Sequence, residues 1–274
     1  MESDLLVAVD EKDMLIGDKD VKISKRDGHT FNSETPRGLL HRAFSFFLFD
    51  AEGRMLLTQR AATKITFPNV WTNTCCSHPL RDMQPNHEVD VTPDAYPEFP
   101  AIKHAAIRKL KHELGIDPKY IPHDEVQFIT RFHYWAADTI TYGTSSPWGE
   151  HEVDYILFMQ SNGSGQDVPV IDANPEEVSN YKYVSIDELK TMMNDSFGED
   201  GKPLLWSPWF RGIMERGGWD WWCDLDGSLA GKYTNSDIVF FDPPREHYAT
   251  YNLPSHSRET GVLKNQINAN KSPS

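Results

Sequence analysis

Cysteine is scarce. Three cysteines in 274 residues, two of them adjacent at Cys75 and Cys76, are too few and odd in number for a disulfide framework, so reduced thiols and a cytoplasmic setting are expected. Long apolar runs are missing too, which excludes a membrane-spanning helix. The opening stretch MESDLLVAVDEKD carries acids where a secretory signal carries bases. Positive charge is the minority: 27 basic residues face 41 acidic ones, and a formal charge of −14 would repel nucleic acid and anionic lipid alike. Any anionic small molecule would need metal ions and a local Lys/Arg cluster to overcome that field. The chain closes on NKSPS rather than a peroxisomal SKL signal, although import alongside a partner protein stays open. There is no internal repeat.

What is present is a globular composition, 39% hydrophobic and 12% aromatic, in a chain long enough for one full core. The run RAFSFFLFDAEGRMLLTQR from Arg42 reads as a β-hairpin turning at Asp50 to Gly53. Residues 81–100 hold four prolines and many acids without apolar period, and read as a surface insertion loop. Ile102, Ala106, Ile107, Leu110 and Leu114 recur at helical spacing between Pro100 and Gly115, a natural start and stop. HDEVQFITRFHYWA and GEHEVDYILFMQ read as strands. PEEVSNYKYVSIDELKTMMND reads as a strand followed by a helix that Ser185 and Glu188 cap. The tryptophan-dense stretch from Trp206 to Cys223 predicts a helix over the core, and residues beyond Tyr233 look loop-rich. Strands and helices mix, which makes the fold class α/β (α+β).

Chemistry concentrates in two short segments. In WTNTCCSHP a thiol stands two residues from an imidazole, and the flanking Pro68 and Pro79 predict a polar loop rather than a core strand. A buried cysteine acting as a small hydrophobe is the plainer alternative. In Glu150-His151-Glu152, strand alternation points both carboxylates to one face, where they repel unless a cation separates them or one is protonated. A solvated strand edge would explain the spacing equally well. His29, His41 and His78 could complete a site with those acids, since imidazole and carboxylate together suit Mn, Fe or Zn. Lys25 and Arg26 precede His29, and Arg60 and Lys64 flank the end of the hairpin; they are ordinary surface or phosphate contacts.

Taken together, GLLHRAFSFFLFD, ITFPNVWTNTCCSHPL, IRKLKHELGI, RFHYWA, WGEHEVDYILF and SPWF resemble the type I isopentenyl diphosphate isomerases, in the family's order, from about Lys25 to Trp222. The resemblance implies a Nudix-like α/β/α sandwich with a mixed sheet. It divides the chain into an N-terminal segment, 1–30, that contributes to the site, and an isomerase domain, 31–232, interrupted by the 81–100 loop. A C-terminal extension, 233–274, follows, with part of it expected to lack fixed structure. The implied reaction interconverts isopentenyl and dimethylallyl diphosphate through a tertiary carbocation.

By the same resemblance Cys76, Glu152, Tyr134 and Trp209 would be catalytic. Lys25, Arg60, Lys64 and Lys109 would contact the diphosphate, and Trp71 would line the substrate pocket. His29, His41, His78, Glu150 and Glu152 would hold one divalent metal, Mg²⁺, Mn²⁺ or Zn²⁺. Glu113 would help hold a second, diphosphate-bound Mg²⁺. The partner is a small allylic diphosphate, with no nucleic acid or membrane, and the chain is expected to be a monomer or weak homo-oligomer. Where a Nudix hydrolase carries Arg-Glu and Glu-Glu pairs, this chain has Arg108-Lys109 and His112-Glu113, which argues against the rival reading as a pyrophosphohydrolase. A non-catalytic phosphate-binding scaffold is the other rival, and retention of Cys76 and Glu152 argues against it.

Overall fold

A computed structural model describes residues 4–16, 23–161, 169–198 and 200–250. The NKSPS end and the rest of the C-terminal extension past residue 250 lie outside the described residues. Among these residues eight strands form one mixed sheet: β1 (His41–Phe49), β2 (Met55–Arg60), β3 (Trp71–Thr72), β4 (Cys75–Ser77), β5 (Gln127–Ala137), β6 (Gly149–Gln160), β7 (Val178–Val184) and β8 (Ile238–Phe241). The main path runs β3-β2-β1-β6-β5-β8, with β4 added to β1 and β7 to β2. The helices are α1 (Lys25–His29), α2 (Pro100–Leu114), α3 (Thr139–Tyr142), α4 (Ile186–Asn194), α5 (Pro208–Ile213), α6 (Trp219–Cys223) and α7 (Leu225–Leu229).

Every residue of β1 is buried, the signature of a strand covered on both faces. Its side chains alternate between two cores. Phe44, Phe46 and Leu48 pack with Ala106 and Leu110 of α2 on one face. Phe47 and Phe49 pack on the other, with Phe210 of α5 and Trp221 of α6. This is the expected α/β/α sandwich. The parallel partner of β1 is β6, in continuous register from His41↔Glu152 to Phe49↔Gln160. That register brings the start of both strands, and their polar residues, to one end of the sheet.

Several local expectations are corrected. The thiol segment is strand rather than loop: Cys75–Ser77 pairs antiparallel with Phe44–Phe46, because β2 stays beside β1 only at Phe49↔Met55 and leaves that edge open. The 81–100 segment runs as a mostly exposed loop up to α2, as its prolines dictate, but it is anchored into the protein at a few points. Glu88, Asp90 and Thr92 are buried. The Asp90 carboxylate accepts from the Ala101 and Ile102 amides at 3.1 and 3.0 Å, capping α2 where its own N-cap, Phe99, sits at φ 40 with no side-chain bond to give. The region beyond Tyr233 contributes β8, which pairs parallel with β5 from Arg131↔Ile238 to Tyr134↔Phe241. The tryptophan-dense stretch is not one helix but α5, a π-turn and α6, kinked at Gly217 (φ 147). The hairpin turn, the Gly115 stop of α2 and the Ser185/Glu188 capping box of α4 are all present.

Candidate active site

At the open end of β1 and β6 the imidazoles and carboxylates converge. One ligand atom from each of His29, His41, His78 and Glu150 lies within 4.8 Å of the others, and all four residues are buried. Glu152 joins them: its Oε1 is 2.7 Å from His78 Nε2 and 3.8 Å from His41 Nε2. His41 Nδ1 lies 2.7 Å from the Leu39 carbonyl, an obligate acceptor, so Nδ1 carries the proton and the Nε2 lone pair turns inward. That nitrogen is buried and without a hydrogen bond, and in the same cluster Glu150 Oε2 lies 2.6 Å from His29 Nδ1. Burial and neighbouring His29 hold His41 down to about 4, and burial pushes His78 well below its usual range. The His41 and His78 imidazoles that burial holds neutral, an inward lone pair and an adjacent buried carboxylate fit a divalent cation.

The two strand carboxylates are divided by their surroundings. Burial alone would raise Glu150, but His29 beside it and the Thr66 hydroxyl, donating at 2.7 Å, hold it down to about 2. Glu152 is pushed up by burial and by the charge of Glu150, and the Tyr134 phenol donates to its Oε2 across the β5–β6 ladder. Such divergence is how one site supplies both an ion and a proton carrier.

Across β1, the Cys76 thiol opens onto the same cavity. The Cys76 Sγ is 2.9 Å from Asn73 Oδ1 and accepts from the Trp209 indole N–H at 3.0 Å. The Asn73 amide is oriented by donating to the Phe46 and Cys75 carbonyls at 3.1 and 3.3 Å, so its oxygen faces the sulfur. Thr72 Oγ1 accepts from both Ser207 and Trp209, at 2.9 and 3.0 Å, locking the indole in place. Burial, then nearby Asp154, pushes the Cys76 thiol up to about 12, so it rests protonated. Strand alternation turns Cys75 to the opposite core, with its sulfur 3.5 Å from Glu113 Oε2.

The cavity, about 360 Å³, is lined by Cys76, Glu152, Tyr134 and Trp209, and on the far wall by Lys25, Arg60, Lys64 and Glu113. Two residues expected there stand elsewhere. Trp71 is absent from the lining: its ring belongs to the core and lies under the Lys182 ammonium, 5.3 Å away. Lys109 lies behind the wall, its ammonium 2.9 Å from Glu113 and 3.7 Å from Glu177. Sequence reasoning missed Thr72, Asn73 and Thr66, neutral hydrogen-bonding residues that carry no signal of their own, and Glu177, one acid among the 41 of the chain.

A model of the NUDIX domain matches residues 95–205. The isopentenyl-diphosphate delta-isomerase of Schizosaccharomyces pombe is 44% identical over 222 residues, spanning 80% of this chain and 86% of that protein. Isopentenyl-diphosphate Delta-isomerase 1 of Bos taurus is 38% identical over 225 residues, spanning 82% and 86%. The crystal structure of a MutT protein from Methanosarcina mazei Go1 superposes with a TM-score of 0.38 at 14% identity, covering 66% of this chain and 94% of that one. With a NUDIX domain and relatives so similar across most of their length, the chain belongs to the isopentenyl-diphosphate delta-isomerase family.

Proposed function

We infer that the family's reaction runs in this cavity: the chain interconverts isopentenyl diphosphate and dimethylallyl diphosphate, a step of isoprenoid biosynthesis, and Cys76 and Glu152 move the proton. The observation that carries the reading is the placement of a thiol and a phenol-bonded carboxylate on β4 and β6, both paired with β1 and both lining one cavity. A proton joins the terminal methylene of the alkene, positive charge falls on the tertiary carbon, and a proton leaves the adjacent CH₂, so none is gained or lost overall. One of the two groups delivers and the other receives, exchanging roles in the reverse direction. Tyr134 steadies Glu152 and can pass its proton on.

The Trp209 ring lines the path of the developing cation, and substrate filling the cavity keeps water from trapping it. Lys25, Arg60 and Lys64 receive the diphosphate. Their positive charge answers the repulsion that the acidic chain imposes. His29, His41, His78, Glu150 and Glu152 would hold Mg²⁺, Mn²⁺ or Zn²⁺, and a diphosphate-bound Mg²⁺ would sit by Glu113; bound cations supply charge neutralisation and orientation. We place this chemistry in the cytoplasm. No helix among the described residues is long and apolar enough to cross a membrane. The direct test is to incubate pure protein with isopentenyl diphosphate and Mg²⁺ and look for the dimethylallyl isomer. Release of phosphate instead would favour a hydrolase.

A further inference from the structure

Glu177 lines this cavity and, with its neighbour Glu176, works against the reading just given, but it is Glu177 that pairs with the cations. It is acidic, it lines the wall beside the cations, and it stands just before β7 where no motif flagged it. Its backbone is stitched on both sides. The Glu177 carbonyl accepts from the Ala61 amide just past β2 at 3.0 Å, and its amide donates to the Asn174 carbonyl at 2.9 Å. Asn174 in turn donates to the Glu113 carbonyl at the end of α2, also at 2.9 Å. Two hydrogen bonds thus fix the Glu177 main chain, one of them through a loop that is itself tied to α2. Its carboxylate forms a close ion pair with Lys64, lies 3.7 Å from Lys109, and lies 3.5 Å from His112 Nδ1.

We propose that Glu177 is a built-in counter-ion which the substrate's diphosphate must outcompete for Lys64, and that it thereby sets the minimum anionic charge admitted to the site. The inference rests on the reading of the Lys25, Arg60 and Lys64 wall as the diphosphate site. The physics is a competition. In a partly desolvated pocket the lysines need an anion, and Glu177 supplies it at high effective concentration while the site is empty. A diphosphate offers more charge and two phosphoryl groups, so it displaces the carboxylate. A single phosphate brings less charge and reaches fewer of the cations at once, so the tethered carboxylate competes with it better. Discrimination against orthophosphate and monophosphates follows without any clash of shape.

The test uses calorimetric titration of the full chain with inorganic pyrophosphate and, separately, orthophosphate, each with and without Mg²⁺. Glu177→Gln should bind pyrophosphate about fivefold or more tighter than wild type and gain still more for orthophosphate, narrowing the selectivity between them. The KM for isopentenyl diphosphate should fall with it. Glu177→Asp keeps the charge and should behave like wild type; equal tightening in both variants would mean that packing, not charge, is responsible, and would overturn the proposal. Unchanged or weaker pyrophosphate binding in a folded Glu177→Gln protein would also overturn it. So would weakening confined to the Mg²⁺ arm, which would make Glu177 a metal ligand. Wild-type protein that takes up no pyrophosphate would instead remove the diphosphate site itself and the inference along with it.

Discussion

Tyr134 and Glu152 are directly opposed across the antiparallel β5–β6 ladder, and the phenol donates to the carboxylate inside the cavity. Because the bond is buried at both ends, its loss should be felt in chemistry more than in substrate capture. Tyr134→Phe is expected to lower kcat by about 10- to 100-fold with little change in KM. Steady-state kinetics would show this, and an unchanged kcat would mean that Glu152 needs no help from its neighbour.

The adjacent thiols should separate cleanly. Cys76 faces the cavity, and Cys76→Ala should lower turnover by about 1,000-fold or more while the protein stays folded. Cys75 is fully enclosed in the opposite core, so Cys75→Ala should cost about 1–2 kcal/mol of stability and keep most activity. Thermal unfolding and kinetics on both variants decide it, and the reverse pattern would invalidate the assignment of faces.

Burial and Asp154 hold the Cys76 thiol up to about 12, so the sign of its pH response is set. A raised pKa keeps the proton on through neutral and mildly alkaline pH, and thiolate appears only as pH climbs towards 12. Alkylation of Cys76 by iodoacetamide should therefore still rise about tenfold per pH unit at pH 10. Levelling off near pH 9 in a peptide-mapped time course would contradict the environment described.

Asp90 caps α2 from a loop, holding two otherwise unpaired amides. Asp90→Ala should destabilise the protein by about 1–3 kcal/mol, measured as a fall in urea midpoint at constant slope. A neutral result would mean that water or another group takes over the cap.

What could be read from the sequence were features whose cause is local or whose motif is long. The Gly115 stop and the Ser185/Glu188 box are set within a few residues of the helix they terminate. Spacing singled out the thiol segment and the Glu150/Glu152 pair as candidates, and motif resemblance supplied their roles. The features that escaped depend on partners far away in the chain. Cys75–Ser77 becomes a strand only because the edge of β1 is vacant beside Phe44 to Phe46. Arg131 and Ile238 meet as a parallel pair that no local pattern announces. Trp71 was misplaced for a simpler reason: with a two-residue strand there is too little alternation to tell which side of β3 faces the cavity.

The metal cluster gives a test that does not depend on turnover. His78→Ala removes one imidazole from the buried group and leaves Glu152 Oε1 without its 2.7 Å partner. Elemental analysis after dialysis should find the variant depleted of divalent metal relative to wild type. Full occupancy in His78→Ala and His41→Ala would show that these histidines bind no ion.

The central claim is that Glu152 carries the proton while Glu150, held down to about 2 beside His29, only holds charge. Glu152→Gln keeps the shape and one oxygen but cannot exchange a proton. The decisive measurement is deuterium incorporation into isopentenyl diphosphate in D₂O by mass spectrometry, beside a binding titration. Glu152→Gln should bind substrate yet incorporate deuterium at less than about one-hundredth of the wild-type rate, whereas Glu150→Gln should recover partly with added metal. Near wild-type deuterium uptake by Glu152→Gln would contradict the account.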